Sequence, residues 1–501
     1  MNLTGSDQTV SKLQALLSYD ASSPLIFSSG LFLFLLAAFL LLYSRLRYAP
    51  TARIFYVILF SLYFYYKSSG LYFLLLILAA TSDYWIARGI HRVRNHAGRR
   101  WLVALSVAVN LGMLGYFKYT NFFVEAANNL FGEGFLQFQN IFLPVGISFF
   151  VFQSLSYTID IYRGQLQPLR NWPDYLFYLS FFPQLVAGPI VRARDFIPQI
   201  RRNPLVVTRE MFGTGVALIL IGLVKKAIIS DYISLNFVDR VFDEPLLYSG
   251  FECLMGIYGY ALQIYCDFSG YSDMAIGIAL LLGFRFPKNF DAPYKAATIT
   301  EFWRRWHISL STWLRDYLYI PLGGNRKGRI RTYGNLLVTM LLGGLWHGAA
   351  VRFILWGGLH GAALALHKLW MRLVPGAKAT GREMHWWVRI PGILLTFHIV
   401  CLGWLMFRAD TMQTVELMLR QIFDHFDARI IPQVIEGYTG VFLLIALGYL
   451  LHMLPASADR LARQTVARAP LALQVVLAAA VIWCVMQVKS SDIQPFIYFQ
   501  F

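Results

Sequence analysis

An apolar run at residues 336–359 decides the class of this protein, and it reads LLVTMLLGGLWHGAAVRFILWGGL. A membrane-spanning helix needs about 20 predominantly apolar residues, so this run is long enough to cross a bilayer. We place His347 midway along such a helix. A histidine in hydrocarbon is costly, which predicts that it faces a cavity or a partner group. Gly344 and Gly348 have the G-x-x-x-G spacing that lets another helix or a ligand approach closely.

The composition indicates a polytopic membrane protein. Of the 501 residues, 57% are hydrophobic and 14% are charged, and the mean hydropathy is +0.52. The net charge of +17 comes from Lys and Arg in short loops between apolar runs. That distribution favours the positive-inside pattern over a nucleic-acid site. The four cysteines stand singly, without a C-x-x-C pair, so we predict neither a disulfide framework nor a metal site.

The apolar runs and loop charges predict an all-α membrane protein with roughly eleven transmembrane helices, plus re-entrant and interfacial helices. We expect a polar N-terminal extension at residues 1–24, without a cleavable signal peptide, and a single membrane domain at residues 25–501. Residues 175–190 contain prolines and are flanked by arginines on both sides, which favours a re-entrant hairpin. Residues 301–322 are predicted to form one aromatic, half-buried helix.

Several apolar runs carry polar residues whose roles stay open at this point. A polar ladder at residues 153–160 is explained either by hydrogen bonds between helices or by the wall of a cavity. Residues 254–284 are predicted to form a hydrophobic hairpin, with Asp267 and Asp273 in its turn. There Asp273 would cap the following helix, or both carboxylates would line a pore. A loop outside the membrane is expected at residues 121–140, and an acidic stretch at residues 231–244 follows an outward crossing.

Histidine is the residue type that offers chemistry in this sequence. There is no P-loop, no G-x-S-x-G elbow, no H-E-x-x-H and no dinucleotide fingerprint. An imidazole with a pKa near neutrality can take the proton from a hydroxyl as that hydroxyl attacks an acyl carbonyl. Of the ten histidines, His347 and His307 lie in the densest polar and aromatic surroundings. We therefore expect them to define one reaction centre, and we interpret the others as solvated or as hydrogen-bonded core residues.

The segment around His307 reads EFWRRWHIS at residues 301–309. Its arginines either hold a phosphate or carboxylate group in bidentate fashion or anchor the chain at the membrane surface. The turn at residues 323–328 either cradles a phosphate with backbone N–H groups or belongs to a cytoplasmic loop that caps a helix. Contacts with the donor or substrate are expected from Trp306, Arg304, Arg305, Arg315, Asp316, Tyr317, Trp346, Asp267 and Ser269.

Several segments resemble the membrane-bound O-acyltransferase family. RRWHISLS at residues 304–311, followed by WLRDYLYIPLGG at residues 313–324, is similar to the signature of that family, and LWHG at residues 345–348 is similar to its histidine motif. The similarity extends from about residue 25 to the end of the chain. It includes three further matches, QLVAGPI at 184–190, YCDFSGYSDMAIG at 265–277 and FIYFQF at 496–501.

The resemblance implies a ring of tilted helices around a central catalytic funnel in the bacterial inner membrane. It implies that His347 is the essential catalytic histidine and that His307 is the second one. The implied donor is acetyl-CoA or another cytoplasmic acyl thioester, without a permanently bound cofactor. On the periplasmic side, esterase-like proteins of the SGNH type would pass the acetyl groups to an exopolysaccharide such as alginate.

In this interpretation His347 is the general base that activates the acceptor hydroxyl. His307, or a donor near it, stabilises the oxyanion or positions the thioester. Two alternatives remain. The same fold could transfer another acyl group, such as D-alanyl to teichoic acid. A transporter or flippase could use His347, Asp267 and Asp273 as a polar relay, although the sequence shows no internal repeat.

Overall fold

The computed structural model describes residues 16–21, 24–374, 384–488 and 496–497. In these ranges all regular secondary structure is helical, mostly α-helix with short 3-10 and π segments. The predicted fold class is therefore confirmed. Most of the predicted extension at residues 1–24 lies outside the described residues, as do residues 498–501 of the aromatic C-terminal motif. Two compact units are present. One comprises Met1–Phe212 and Ile278–Phe286, and the other comprises Gly213–Gly277 and Pro287–Ile497.

Nine α-helices of the first unit lie wholly within the described ranges. They are α1 Gly30–Arg45, α2 Pro50–Ser69, α3 Phe73–Arg92, α4 His96–Leu114, α5 Thr120–Phe131, α6 Ile147–Tyr162, α7 Trp172–Ser180, α8 Phe182–Leu185 and α9 Ala193–Ile200.

The α-helices that follow lie wholly or for the most part in the second unit. They are α10 Arg209–Leu223, α11 Asp231–Ile233, α12 Asp239–Asp243, α13 Gly250–Leu281, α14 Ile299–Arg305, α15 Ile308–Leu314, α16 Arg329–His347, α17 Val351–Leu373, α18 Trp386–Arg408, α19 Met412–Asp424, α20 Ile431–Gly437, α21 Thr439–Met453, α22 Ala456–Arg468 and α23 Leu471–Val488. Of these, α10 begins in the first unit and α13 ends in the first unit, and the others lie in the second unit.

Five helical stretches of the described chain are long and apolar enough to cross a membrane, and a sixth counts if the bent pair Ala428–Gly437 and Thr439–Met453 is one span. Several membrane crossings are thus supported, whereas the count of roughly eleven stays a prediction. The five stretches are Pro50–Arg92, His96–Phe131, Arg209–Asp243, Trp386–Arg408 and Leu471–Val488.

A buried carboxylate, Asp83 on α3, organises the first unit. It accepts hydrogen bonds from Ser106 Oγ and Asn110 Nδ2 on α4, both at 2.6 Å, and from Ser154 Oγ on α6. Ser106 Oγ also lies 3.0 Å from Thr158 Oγ1 of α6. A buried polar group is stable only with such partners. Ser154 and Thr158 of the polar ladder therefore make hydrogen bonds between helices, which agrees with the first of the two interpretations of residues 153–160.

The predicted re-entrant segment at residues 175–190 has a broken, buried backbone. The helices α7 and α8 are separated at Phe181, and the chain leaves helical geometry again after Leu185. Pro183 and Gly188 lie within this segment, and both are buried. Irregular backbone at membrane depth needs such burial, because lipid cannot satisfy its hydrogen-bonding groups. The break is confirmed, and the re-entrant path stays a prediction.

The predicted hydrophobic hairpin at residues 254–284 is wrong, because α13 passes through it without interruption. Asp273 lies inside this helix and so cannot be an N-cap. Lys225 Nζ is 2.7 Å from Asp273 Oδ2, and Lys226 Nζ is 2.6 Å from Asp267 Oδ1. Since both carboxylates are paired with lysines, neither has to be exposed in a turn.

The predicted loop at residues 121–140 is also partly wrong, and the acidic stretch at residues 231–244 is mostly helical. The first begins with helix α5, and the second is helical as far as Asp243. In the second, Asp239 Oδ1 lies 2.9 Å from Arg408 Nη2. Pairing of this kind lets an acidic stretch continue a helix, which a count of charges along the sequence does not reveal.

Candidate active site

His307 lies at a break in the segment that was predicted to be one helix at residues 301–322. Helix α14 ends before Trp306, and α15 begins at Ile308. Between them His307 has φ 40° and ψ 56°, a left-handed conformation that is uncommon for a residue with a side chain. Such strain persists only where the surroundings over-determine it, and it is concentrated at functional sites. The prediction of one continuous helix is wrong at this residue.

Asn289, in the loop that follows α13, holds the break together. Its carbonyl oxygen accepts the Ile308 N–H at 2.9 Å. Its side-chain Oδ1 accepts the Ser309 N–H at 3.1 Å and the Ser309 hydroxyl at 2.8 Å, and lies 3.2 Å from His307 Nδ1. Its Nδ2 donates to Ser272 Oγ of α13 at 3.1 Å. The imidazole of His307 is therefore tied to both a loop and a long helix.

His307 is fully buried. His307 lies outside the candidate membrane-spanning helices. Burial lowers the pKa of His307 to about 3, because the charged imidazolium loses its hydration. The ring packs edge-on against Phe268 of α13, with centroids 4.6 Å apart. The imidazole is accordingly neutral at physiological pH.

His347 is the last residue of α16 rather than a residue in the middle of a helix, so that prediction is corrected. Gly348 ends the helix with φ −159°, and α17 returns directly from Val351. The approach predicted from the glycine spacing is present, since a Cβ on Gly344 would overlap the backbone of Phe353 at the start of α17. The tight turn therefore places His347 where two helices of a hairpin meet.

An aromatic cage surrounds His347, which is 3% exposed. Ring centroids of Trp346, Trp356 and Phe407 lie 4.9, 5.0 and 5.3 Å from that of His347. The Trp346 ring is also 6.3 Å from the His307 ring. The structure thus brings the two predicted histidines to the same indole, although about forty residues of chain separate them.

The C-terminal residues Phe496 and Ile497 reach this side of α13. Phe496 packs against Phe268, the residue in contact with His307, with centroids 5.6 Å apart. The Ile497 N–H donates to Asp267 Oδ2 at 3.0 Å, and Asp267 also pairs with Lys226. Asp267 and the buried Ser269 therefore flank the site on α13, and their predicted contacts with a donor stay predictions.

The arginines of the predicted signature differ in their surroundings. Arg305 pairs with Glu301 at 2.8 Å, whereas the Arg304 side chain is exposed. The 59%-exposed Arg315 side chain pairs with Asp316 at 2.7 Å, and the hydrogen bond to Asp316 raises the pKa of Arg315. Arg304 and Arg315 thus remain accessible to an anionic ligand.

Two aromatic residues of the same predicted group pack inside the protein. Tyr317 is buried against Trp313 at a centroid distance of 5.1 Å, and Trp306 is buried against Trp404 at 4.8 Å. Trp306 therefore supports the fold around His307 from the side of α18. Their predicted contacts with the donor remain untested.

Sequence reasoning missed Asn289, Trp356 and Phe407. Asn289 stands in the stretch PKNF at residues 287–290, and no spacing rule connects this stretch with His307. Trp356 and Phe407 read as ordinary apolar positions of two helices. In the described residues, no group of three His, Cys, Asp or Glu side chains is arranged to hold a metal ion.

Comparison with known proteins gives a consistent result. A model of the MBOAT, membrane-bound O-acyltransferase family, matches residues 166–407, which include Asn289, His307 and His347. A protein described as "Probable alginate O-acetylase AlgI" from Azotobacter vinelandii is 43% identical over 410 residues, covering 80% of this chain and 79% of the relative.

Two further relatives differ in the group or polymer that their names give. A "Peptidoglycan O-acetyltransferase" from Helicobacter pylori is 37% identical over 426 residues, covering 79% of each chain. A "Teichoic acid D-alanyltransferase" from Bacillus subtilis is 29% identical over 284 residues, covering 54% of this chain and 69% of the relative.

Proposed function

Because the chain belongs to the membrane-bound O-acyltransferase family, we propose that it transfers acetyl groups from acetyl-CoA, a cytoplasmic thioester, for O-acetylation of an exopolysaccharide such as alginate. It is a multi-pass membrane protein and an O-acyltransferase, and its relatives support acyl transfer to a polysaccharide. The donor, the direction across the inner membrane and the polymer belong to the proposal.

One observation carries the proposal, namely that two buried histidines from separate helical segments contact the same indole, Trp346. His347 is proposed to be the general base. The carbonyl groups at the C-terminal end of α16 favour a positive charge, so they stabilise the imidazolium that forms when His347 accepts a proton. The aromatic cage leaves His347 only 3% exposed to solvent.

The proposed reaction is a direct transfer. His347 takes the proton of the acceptor hydroxyl, and the hydroxyl oxygen forms a bond to the carbonyl carbon of the thioester. The carbon–sulphur bond then breaks, and the departing thiolate receives the proton. General-base catalysis of this kind contributes about 10²–10⁴-fold in rate.

The wider arrangement is part of the same proposal. Roughly eleven crossings would form a ring around a central funnel that opens to the cytoplasm for the thioester and to the periplasm for the acceptor. A periplasmic SGNH-type esterase-like protein would carry the acetyl group onward to the polymer. The accessible guanidinium groups of Arg304 and Arg315 are proposed to bind the phosphates of coenzyme A.

A second candidate is D-alanyl transfer to teichoic acid, which the Bacillus subtilis relative favours. It uses the same histidines and the same hydroxyl chemistry, and it differs in the donor. Acetyl transfer is preferred because the acetyl-transferring relatives cover a larger share of the chain at higher identity.

The test is transfer of labelled acetyl from acetyl-CoA by the purified protein, comparing wild type, His347→Ala and His425→Ala. His425 is exposed at the end of α19 and serves as the matched histidine control. We expect His347→Ala to lose activity by about 10²-fold or more and His425→Ala to match wild type. Full activity of His347→Ala would remove His347 from the reaction. A wild type that transfers only D-alanyl from a carrier thioester would select the second candidate.

A further inference from the structure

Asn289 is nearly completely buried, with an exposed fraction of 1%, beside the imidazole of His307, the second histidine of the proposed reaction centre. We infer that Asn289 is a positioning residue that holds His307 in the tautomer with its proton on Nδ1, which makes Nε2 the nitrogen that accepts a hydrogen bond. The inference rests on the proposed function for its catalytic meaning, whereas the tautomer itself follows from the hydrogen bonds.

The orientation of the Asn289 amide comes first. Oxygen and nitrogen of such an amide are ordinarily assigned from their partners. Here a backbone N–H, that of Ser309, points at one of the two atoms from 3.1 Å. A backbone N–H can only donate, so that atom is the oxygen Oδ1. The other atom is then Nδ2, and it donates to Ser272 Oγ at 3.1 Å.

The tautomer of His307 follows from this orientation. Oδ1 of Asn289 can only accept, and it lies 3.2 Å from His307 Nδ1. If Nδ1 carried no proton, two lone pairs would face each other in a buried site, which is costly. The Ser309 hydroxyl donates its hydrogen to the same Oδ1. Its oxygen, which lies 3.4 Å from His307 Nδ1, can therefore only accept from Nδ1. Nδ1 of His307 is therefore the protonated nitrogen.

The consequence concerns the chemistry of Nε2. Burial keeps His307 neutral by lowering its pKa, so the ring carries one proton, and that proton is on Nδ1. Nε2 then presents a lone pair. A hydroxyl or thiol of a bound substrate can donate to it, whereas an oxyanion cannot accept from it. This argues against the expectation that neutral His307 stabilises the oxyanion.

A direct test is the ¹⁵N magnetic-resonance spectrum of the full-length protein with labelled histidine. Subtracting the spectrum of His307→Gln identifies the two nitrogens of His307 in the wild type. We expect Nδ1 at the shift of a protonated nitrogen and Nε2 at that of an unprotonated one. The reverse pattern would overturn the inference whether or not any variant folds.

A kinetic test uses two substitutions of similar size, Asn289→Leu and Asn289→Asp, with acetyl-CoA as the donor. Leu removes the acceptor oxygen, and we expect kcat per folded molecule to fall roughly 10–100-fold with little change in KM, as for other residues that orient a functional histidine. Asp retains an oxygen that accepts from Nδ1 and from Ser309. Its negative charge favours imidazolium, so the acid limb of the pH–rate profile should move to higher pH.

A purely structural role for Asn289 predicts something else. Both variants would then yield less folded protein, with wild-type kcat per folded molecule and an unchanged pH profile, and that result would overturn the inference. The two proposals fail separately. An active wild type with the reversed tautomer refutes only the role of Asn289, whereas the expected tautomer in a protein that transfers no acyl group refutes only the proposed function.

Discussion

The buried charge of Lys226 gives the sharpest stability prediction. Its Nζ lies 2.6 Å from Asp267 and 2.8 Å from Asp231, and the Lys226 and Asp267 side chains are only 5% and 3% exposed. Removing one partner of a buried ion pair costs about 3–5 kcal/mol, because the other charge is left without compensation. We therefore expect Lys226→Met to lower the free energy of unfolding by about that amount.

The two partners of this pair should not be equivalent. Asp267→Asn leaves Lys226 with Asp231 and leaves an amide oxygen to accept from Ile497, so its cost should be smaller, about 1–3 kcal/mol. The double variant Lys226→Met/Asp267→Asn should lose less than the sum of the two single variants, because the buried charges of Lys226 and Asp267 are removed together and only the more exposed Asp231 remains.

The assay is unfolding of the detergent-purified protein, followed by intrinsic fluorescence during heating and during titration with SDS. The pair Arg420–Glu416 on α19 provides the control, since its side chains are 66% and 59% exposed. Glu416→Ala should cost only about 0.3–0.5 kcal/mol. Equal effects of Lys226→Met and Glu416→Ala, or additive effects in the double variant, would refute the reasoning from burial.

Two further predictions concern the helix packing. Asp83→Ala removes the shared acceptor of three buried donors, whereas Asp83→Asn retains one acceptor oxygen. The Ala variant should therefore be less stable than the Asn variant by about 1–3 kcal/mol and should melt at a lower temperature. Identical melting of the two would contradict the proposed network. Gly357→Ala places a Cβ against the Met340 backbone and should cost about 1–3 kcal/mol, while Gly112→Ala, with no atom within 4 Å, should be neutral or stabilising in the same thermal melt. Equal stability of these two variants would exclude close packing of α16 on α17.

Hydrophobicity along the sequence was sufficient to predict that the chain forms apolar helices. Five helical stretches of the described chain are long and apolar enough to cross a membrane, as the apolar runs of the sequence led us to expect. This success has a local cause, because a backbone in hydrocarbon must satisfy its own hydrogen bonds and a helix does so within one segment. Where charges were used to place loops, as at Asp273, the prediction failed because their partners stand elsewhere in the sequence.

For the site, the sequence indicated the family and singled out two candidate histidines, since a histidine in an apolar run and a short motif are local features. Three features required the tertiary structure: the left-handed break at His307, the hydrogen bonds of Asn289, and the contact of Ile497 with Asp267. That last contact joins positions 230 residues apart in the chain. No periodicity encodes such a pairing, because it depends on how distant helices pack. The sequence by itself therefore determined an all-helical membrane acyltransferase with two candidate histidines. Only the tertiary structure decided which polar groups contact His307 and which aromatic rings surround His347, since such contacts depend on the positions of atoms in space.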